Sequence, residues 1–481
     1  MTTGGSELSI AQVREAIAAG RGTWQAAETE LWLLPLDQKR LRLGAVPPMT
    51  TLQAREELVR QNRASEAPSA GAHPAAYDWR NVGGRNYITS VKDQGGCGSC
   101  VAFGCTATVE ATARVLFGAS LAIDVSEAQL FYCVAASQGS TCATGWWPDE
   151  AFRAFEHPAI TDERHFPYRA GDQRCGLQGG WPDVVTKLAA WRTLSAIADM
   201  KTWISTRGPL TACFSVYEDF YSYVSGIYTY HTGQLVGGHC ISIVGYDDTK
   251  GCWICKNSWG SGWGESGFFR IGYGQCGLEA EMWAADNVIV PSAGAVPLYR
   301  YWNSRICDHF YTTNWAELGS GNYGWKFEET QCYVYPAQHP GTVPLYRYWN
   351  SSVGDHFYTT NWNELRSGAA GYVYESIQCY VYPGAGHKNG AFYRYWSPGG
   401  TDHFYTTCYD ELGAGNYGWH LEMTQCFVPA GPGAAPGTTQ LSVAPTSFRI
   451  GEGSEDSTPA VDTPPSFTLD STATGGAFPR P

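Results

Sequence analysis

Gln94-Gly95-Gly96-Cys97-Gly98-Ser99-Cys100 is the stretch on which the reading of this chain turns. Val101 to Phe117 follow with helical character, and Gly118 stops them. Ser99 stands where a helix cap belongs, so Cys100 sits where a helix begins. The unpaired N–H groups and the dipole at that place favour an anion, which helps a thiol lose its proton. A thiolate needs a base partner and an oxyanion site to act as a catalyst. Two distant stretches supply candidates. Gly237-Gly238-His239-Cys240-Ile241-Ser242-Ile243 puts a histidine at the head of an apolar, strand-like run. Lys256-Asn257-Ser258-Trp259-Gly260 comes after the strand-like Trp253-Ile254.

In this order the three stretches resemble the papain/cathepsin family of cysteine proteases. The resemblance implies an α+β, two-lobed protease domain. It casts Cys100 as nucleophile, His239 as base and proton donor, and Asn257 as the residue that orients the imidazole. Gln94 would give its side-chain amide, with the Cys100 N–H, to the oxyanion. The His–Cys ion pair would already exist in the resting enzyme, and Trp259 would shield the Asn–His bond from water. A redox reading of Cys97-x-x-Cys100 would need a strand before it, and Lys92 to Gly96 is not one. His157, His165 and His231 lack the Gly-Gly-His-strand context.

The same resemblance implies disulfides Cys97–Cys142 and Cys133–Cys175. Cys276 matches half of a third family bridge, whose partner is absent from Thr232 to Val236. Cys105, Cys213, Cys240, Cys252 and Cys255 are expected as buried thiols. Val101 stands where the family has an aromatic residue. Gly145 matches a glycine whose backbone pairs with an extended peptide. The pocket for the second residue before the scissile bond would involve Trp147, Cys213, Cys240 and the run Cys276 to Glu281. That run is similar to the one in cathepsin B-like enzymes, which implies that Glu281 closes the pocket and admits arginine. The alternative is that Glu279 or Glu281 simply faces water. No histidine pair of the carboxydipeptidase kind is visible, so an endopeptidase is expected.

The whole chain sets the frame. Its 481 residues allow two or three domains; 43% are hydrophobic and 16% charged, as in globular proteins. The net charge of −13 argues against a nucleic-acid partner. No apolar run suggests a membrane span or a signal-peptide core, whereas 16 cysteines favour an oxidising compartment, so a secreted or extracytoplasmic protein is expected. Residues 1–73 read as a pro-segment lying along the cleft. Ile10, Val13 and Ile17 recur at helical spacing, Leu31 to Leu34 are strand-like, and Leu52 to Arg60 are helical again. Trp24, Ala26, Leu36 and Leu43-Gly44 are similar to short pro-regions of bacterial papain-like enzymes. Ala67 to Ala76 offers a cut site before the catalytic domain, 74–291. There Tyr77-Asp78-Trp79-Arg80 resembles the start of a mature enzyme.

Residues 292–430 hold three copies of one unit. Tyr299-Arg300-Tyr301-Trp302 recurs every 47 residues at Tyr346 and Tyr393, and so does Asp308-His309-Phe310-Tyr311-Thr312 at Asp355 and Asp402. Aromatic and β-branched alternation predicts four short strands per unit, hence an all-β domain, expected as a β-trefoil with a short propeller-like array as the alternative. The units resemble an Asp-His-Phe-Tyr-Thr repeat of secreted bacterial proteins. Their Asp-His pairs are either sugar contacts or internal hydrogen bonds, the latter favoured. A shared metal site is not expected, because the copies should lie far apart around the axis. Residues 431–481, rich in Pro, Gly, Ser and Thr, read as a solvated tail. The chain is thus expected to be a cofactor-free cysteine endopeptidase with a binding module, a glycan being one candidate ligand. The alternative is a carbohydrate-binding protein with an inactive protease scaffold.

Overall fold

The computed structural model describes residues 8–65, 73–386 and 389–431, so the cut-site segment is covered only in part and the tail lies outside the described residues beyond 431. The helix Cys100–Phe117 is the spine of the first domain. It packs on the strands Leu235–Asp247 and Met282–Ile289 and on the helix Pro148–Glu156. Burial on nearly every side explains its apolar composition, which by length alone would suit a membrane. One sheet runs, edge to edge, through Ile160–Thr161, Val185–Leu194, Met282–Ile289, Leu210–Tyr217, Leu235–Asp247, Cys252–Lys256, Phe268–Gly272 and Ile227–Tyr228. The long strand Leu235–Asp247 divides two cores. Alternate side chains on a strand point to opposite faces. Cys240 accordingly joins Cys100, Val109, Phe152 and Trp283, while Ile241 and Ile243 join Phe214, Trp253 and Phe269. These two cores are the two expected lobes.

The N-terminal segment clings to the second core. Helix Ile10–Ala19 begins with a Ser9/Gln12 capping box and buries Val13 and Ile17. Strand Gln25–Ala26 pairs with Tyr223–Ser225. Leu31 to Leu34 form a turn rather than the expected strand. Thr29 explains it: its hydroxyl accepts the Trp32 N–H at 3.1 Å and donates to the Tyr221 carbonyl at 2.6 Å, which coils the chain before Pro35. Helix Leu52–Ser65 follows.

The second domain is all-β, but each repeat has three strands, not four. In the first they are Val296–Asn303, Asp308–Thr312 and Lys326–Val334, all antiparallel. The two strands expected after Gly324 are one continuous strand, bent by register shifts opposite Leu298/Tyr299 and Arg300/Tyr301. Asn314 to Leu318 make a capped helical turn instead. The trefoil expectation rested on four strands per unit and loses that support.

The expectation about the axis is also corrected. Asp308, Asp355 and Asp402 are buried with carboxylate oxygens within 4.8 Å of one another. Each accepts from the histidine of a neighbouring repeat: Asp402 from His309 (2.6 Å to Nδ1), Asp308 from His356 (2.5 Å) and Asp355 from His403 (2.6 Å). These pairs are therefore internal bonds between repeats, not sugar contacts. Burial and the other two carboxylates push the Asp402 acid up to about 9. Tyr311, Tyr358 and Tyr405 close a second ring, each hydroxyl donating to the carbonyl and accepting from the N–H of the equivalent tyrosine in one neighbouring repeat at 2.7–2.9 Å. Cys332, Cys379 and Cys426 are buried thiols beside it.

Repeat 1 is anchored on the protease domain. Lys187 Nζ reaches Glu329 Oε1 at 2.5 Å, and His157 bridges Glu329 (2.7 Å) and Glu411 (3.3 Å). The Tyr333 hydroxyl accepts the Val185 N–H at 2.8 Å, and Tyr299 donates to Asp183 at 2.6 Å.

Candidate active site

Cys100 opens its helix with no side-chain cap. The Ser99 hydroxyl is instead paired with the Tyr168 hydroxyl at 2.7 Å, so the N–H groups at the helix start are not taken by a side-chain cap. The strand Leu235–Asp247 brings in His239, and the end of Cys252–Lys256 brings in Asn257. His239 Nε2 meets Asn257 Oδ1 at 2.7 Å. Trp259 lies over the imidazole with ring centres 4.7 Å apart and is itself stacked on Tyr221, which keeps water from that bond. His239 Nδ1 is buried without a hydrogen-bond partner. Gln94 is fully buried, its Oε1 accepting from Ser258 Oγ at 2.7 Å while Nε2 donates to the Cys97 carbonyl at 2.8 Å. Ser258 and Tyr168 as positioners were missed by the sequence reading, although Ser258 adjoins Asn257 in the same motif.

The N-terminal segment fills the cleft between these groups. Gln94 Nε2 also donates to the Arg42 carbonyl at 3.1 Å. The Gly44 N–H donates to the Gly238 carbonyl at 3.1 Å, next to His239. Trp146 N–H donates to the Gly44 carbonyl (2.7 Å), and Val46 N–H donates to the Trp146 carbonyl (3.1 Å), a parallel pairing. The main-chain bonds thus use Trp146, one residue beyond Gly145. Gly145 allows the close approach: at φ +70° a Cβ there would stand 2.2 Å from the Gly44 oxygen. Gly44 is equally tight, since its Cβ would stand 1.8 Å from the Gly98 oxygen.

Burial sets the electrostatics of this covered state. It pushes the Cys100 thiol up to about 12, aided by Cys213 and opposed by backbone N–H groups. It pulls His239 down to about 4, against the Asn257 hydrogen bond. Burial thus favours the neutral form of both groups while the segment is in place, and works against the resting ion pair expected of the open cleft. The dipole of one helix start is outweighed by complete removal from water.

The expected pocket is occupied as well. Arg55, from helix Leu52–Ser65, places its guanidinium 4.9 Å from the centre of the Trp147 ring and bonds Glu281 at 2.5 Å. Cys213 and Cys240, paired across two strands, lie buried alongside. Arg63 pairs with Glu279, so neither glutamate merely faces water. The disulfides are Cys97–Cys142 and Cys133–Cys175. Cys276 is a buried free thiol, like Cys105, Cys252 and Cys255. Of the other histidines, His165 pairs with Asp162 and His231 with Thr229, away from Cys100. The described groups dense enough to suit a metal are the three axial aspartates, whose oxygens are already taken by histidine N–H groups.

The model described as "Papain family cysteine protease" matches residues 73–285, and that of a "Domain of unknown function (DUF5648)" matches 272–382 and 297–429. Mouse pro-cathepsin H is 35% identical over 219 residues, covering 44% of this chain and 64% of that protein, so the chain spans less than two thirds of this relative. Cathepsin B-like CP3 of Giardia intestinalis is 35% identical over 229 residues, covering 44% of this chain and 75% of that protein. A solved structure, proCathepsin B S9 from Trypanosoma congolense, aligns with TM-score 0.48 at 22% identity, covering 58% of this chain and 97% of that one. With a relative this similar over three quarters of its length, the chain belongs to the papain family of cysteine proteases.

Proposed function

We propose that this chain is the precursor of a cysteine endopeptidase. Residues 1–73 are the inhibitory segment, 74–291 the catalytic domain and 292–430 an attached repeat module. Once the segment leaves, Cys100 loses its proton to His239 and attacks the peptide carbonyl. Gln94 Nε2 and the Cys100 N–H hold the oxyanion. His239 protonates the leaving amine and then activates water, with Asn257 keeping the ring aligned. The reading is carried by one observation: the Arg42 carbonyl accepts from Gln94 Nε2, and the Gly44 backbone runs on from it, tight against Gly98 and bonded to Trp146, as a substrate chain would. Two disulfides support an oxidising, extracytoplasmic setting.

The substrate preference follows from Arg55. A guanidinium between the Trp147 face and Glu281 is how an arginine two residues before the scissile bond would be held. The glycan-binding alternative finds less support, because the repeats' Asp-His pairs are consumed internally. The test is hydrolysis of Phe-Arg and Arg-Arg reporter peptides by the chain trimmed near His73. Both should be cleaved, and Glu281→Ala should lose roughly tenfold on Arg-Arg alone. Equal loss on both reporters would refute the pocket assignment, and no cleavage by trimmed protein would refute the protease.

A further inference from the structure

The three repeats present one polar cluster three times, and the first is the copy that meets charged groups of the protease domain. At the first, Arg300 bonds Glu328 (2.8 Å), Gln331 (2.9 Å) and Glu411 of the neighbouring repeat (3.2 Å), and Gln331 bonds Thr407 (3.1 Å). At the third, Arg394 bonds Glu422 (2.7 Å), Gln425 (2.9 Å) and Glu364 (3.2 Å), and Gln425 bonds Thr360 (3.1 Å). At the second, Arg347 meets Glu375 (2.8 Å), Gln378 (3.0 Å) and, more loosely, Glu317 (3.9 Å). The first cluster receives two groups from the protease domain: the His157 ring, with Nε2 3.3 Å from Glu411, and the Lys187 ammonium on Glu329.

Charge counting explains why that copy is filled. The first cluster holds Arg300 against Glu328, Glu329 and Glu411, two carboxylates in excess. His157 and Lys187 make up the difference, and Glu329 holds the His157 pKa well above its ordinary value. The other two clusters have Ser376 and Met423 where repeat 1 has Glu329. Each keeps one carboxylate in excess, and the ion pairs of its arginine stay within the repeats. Glu329 is 1% exposed under the protease domain, whereas Met423 is 45% exposed and Ile377, next to Ser376, 41%.

We propose that the other two clusters, around Glu317 and Glu364, are sockets for cationic side chains of a basic polypeptide. The socket at repeat 1 is filled by the chain itself, and the other two are presented to a partner. Each takes one arginine or lysine, with the carboxylate equivalent to Glu411 as the receiving group. The missing Glu329 equivalent makes each weaker than the covered one. This reading stands apart from catalysis and would survive a failure of the protease assignment.

The test is binding of fluorescein-labelled hexa-arginine to the full chain carrying Cys100→Ala, followed by anisotropy at low salt. Glu317→Gln with Glu364→Gln should weaken binding roughly tenfold. Ser376→Glu with Met423→Glu, which copies Glu329 into both open sockets, should tighten it roughly tenfold. Glu15→Gln with Glu28→Gln, an equal charge change elsewhere, should leave it unaltered. No peptide binding, or an equal effect of the remote pair, overturns the proposal. If the first double variant unfolds, the second decides: no gain in affinity overturns it.

Discussion

The catalytic cleft and the repeat module use histidine beside an acceptor oxygen in opposite ways. In the cleft His239 has one partner, Asn257, and its other nitrogen is left buried and unpaired. In the module His309, His356 and His403 each give both the backbone N–H and Nδ1 to a buried aspartate of another repeat. The first arrangement leaves a nitrogen available for chemistry once the cleft opens. The second spends the side chain on closing a ring. A polar group held buried and incomplete is costly, and it persists where a function uses it.

The largest effect that sharpens this contrast is on the cleft side. His239→Ala in the trimmed enzyme should lower kcat/KM by about 10⁴-fold or more, while Gln94→Ala should cost roughly 10²–10³-fold, as one oxyanion donor does. Reporter hydrolysis checks both. His309→Ala should leave kcat/KM unchanged and lower the unfolding midpoint instead. A catalytic loss there at full folding would break the comparison.

Next comes the junction between the two regions. Glu329→Gln strips a buried carboxylate from Lys187 and His157, so a stability loss of about 3–5 kcal/mol is expected in denaturant unfolding. Ser376→Ala, at the same place in repeat 2, should change stability by less than about 0.5 kcal/mol. Equal effects would mean that the anchor is not at repeat 1.

The last test concerns pH. The folded Asp402 acid, at about 9, lies above its ordinary value of 3.8. The folded state therefore holds a proton that the unfolded state has released. Stability from this group is complete below about 4 and falls as pH rises towards 9. Asp402→Asn, which mimics the protonated acid, should flatten the unfolding midpoint across that window. An unchanged slope would place the titration elsewhere.

The cleft was legible because its chemistry fixes residue types in short contiguous stretches. Gln94 to Cys100, Gly237 to Ile243 and Lys256 to Gly260 each carry their groups on one turn, strand or loop. Both disulfides followed from the resemblance. What covers the cleft was less legible: that Arg42, Gly44 and Arg55 land on Gln94, Trp146 and Glu281 depends on packing between stretches far apart in sequence. In the repeats, the 47-residue period gave the copies but not their radius, so the meeting of Asp308, Asp355 and Asp402 was missed. A bulge hid the fusion of two expected strands, because alternation alone does not distinguish a bent strand from two short ones. The departure of Glu329 from Ser376 and Met423 was visible in the sequence, and it marks the docked face.

The central claim is that the N-terminal segment keeps Cys100 covered and neutral. The most direct measurement is the rate of Cys100 labelling by an epoxysuccinyl peptide of the E-64 type at pH 6, before and after cleavage near His73. The account predicts no labelling of the full chain, rapid labelling of the trimmed chain, and none of trimmed Cys100→Ala. Equal labelling of full and trimmed chains would contradict it.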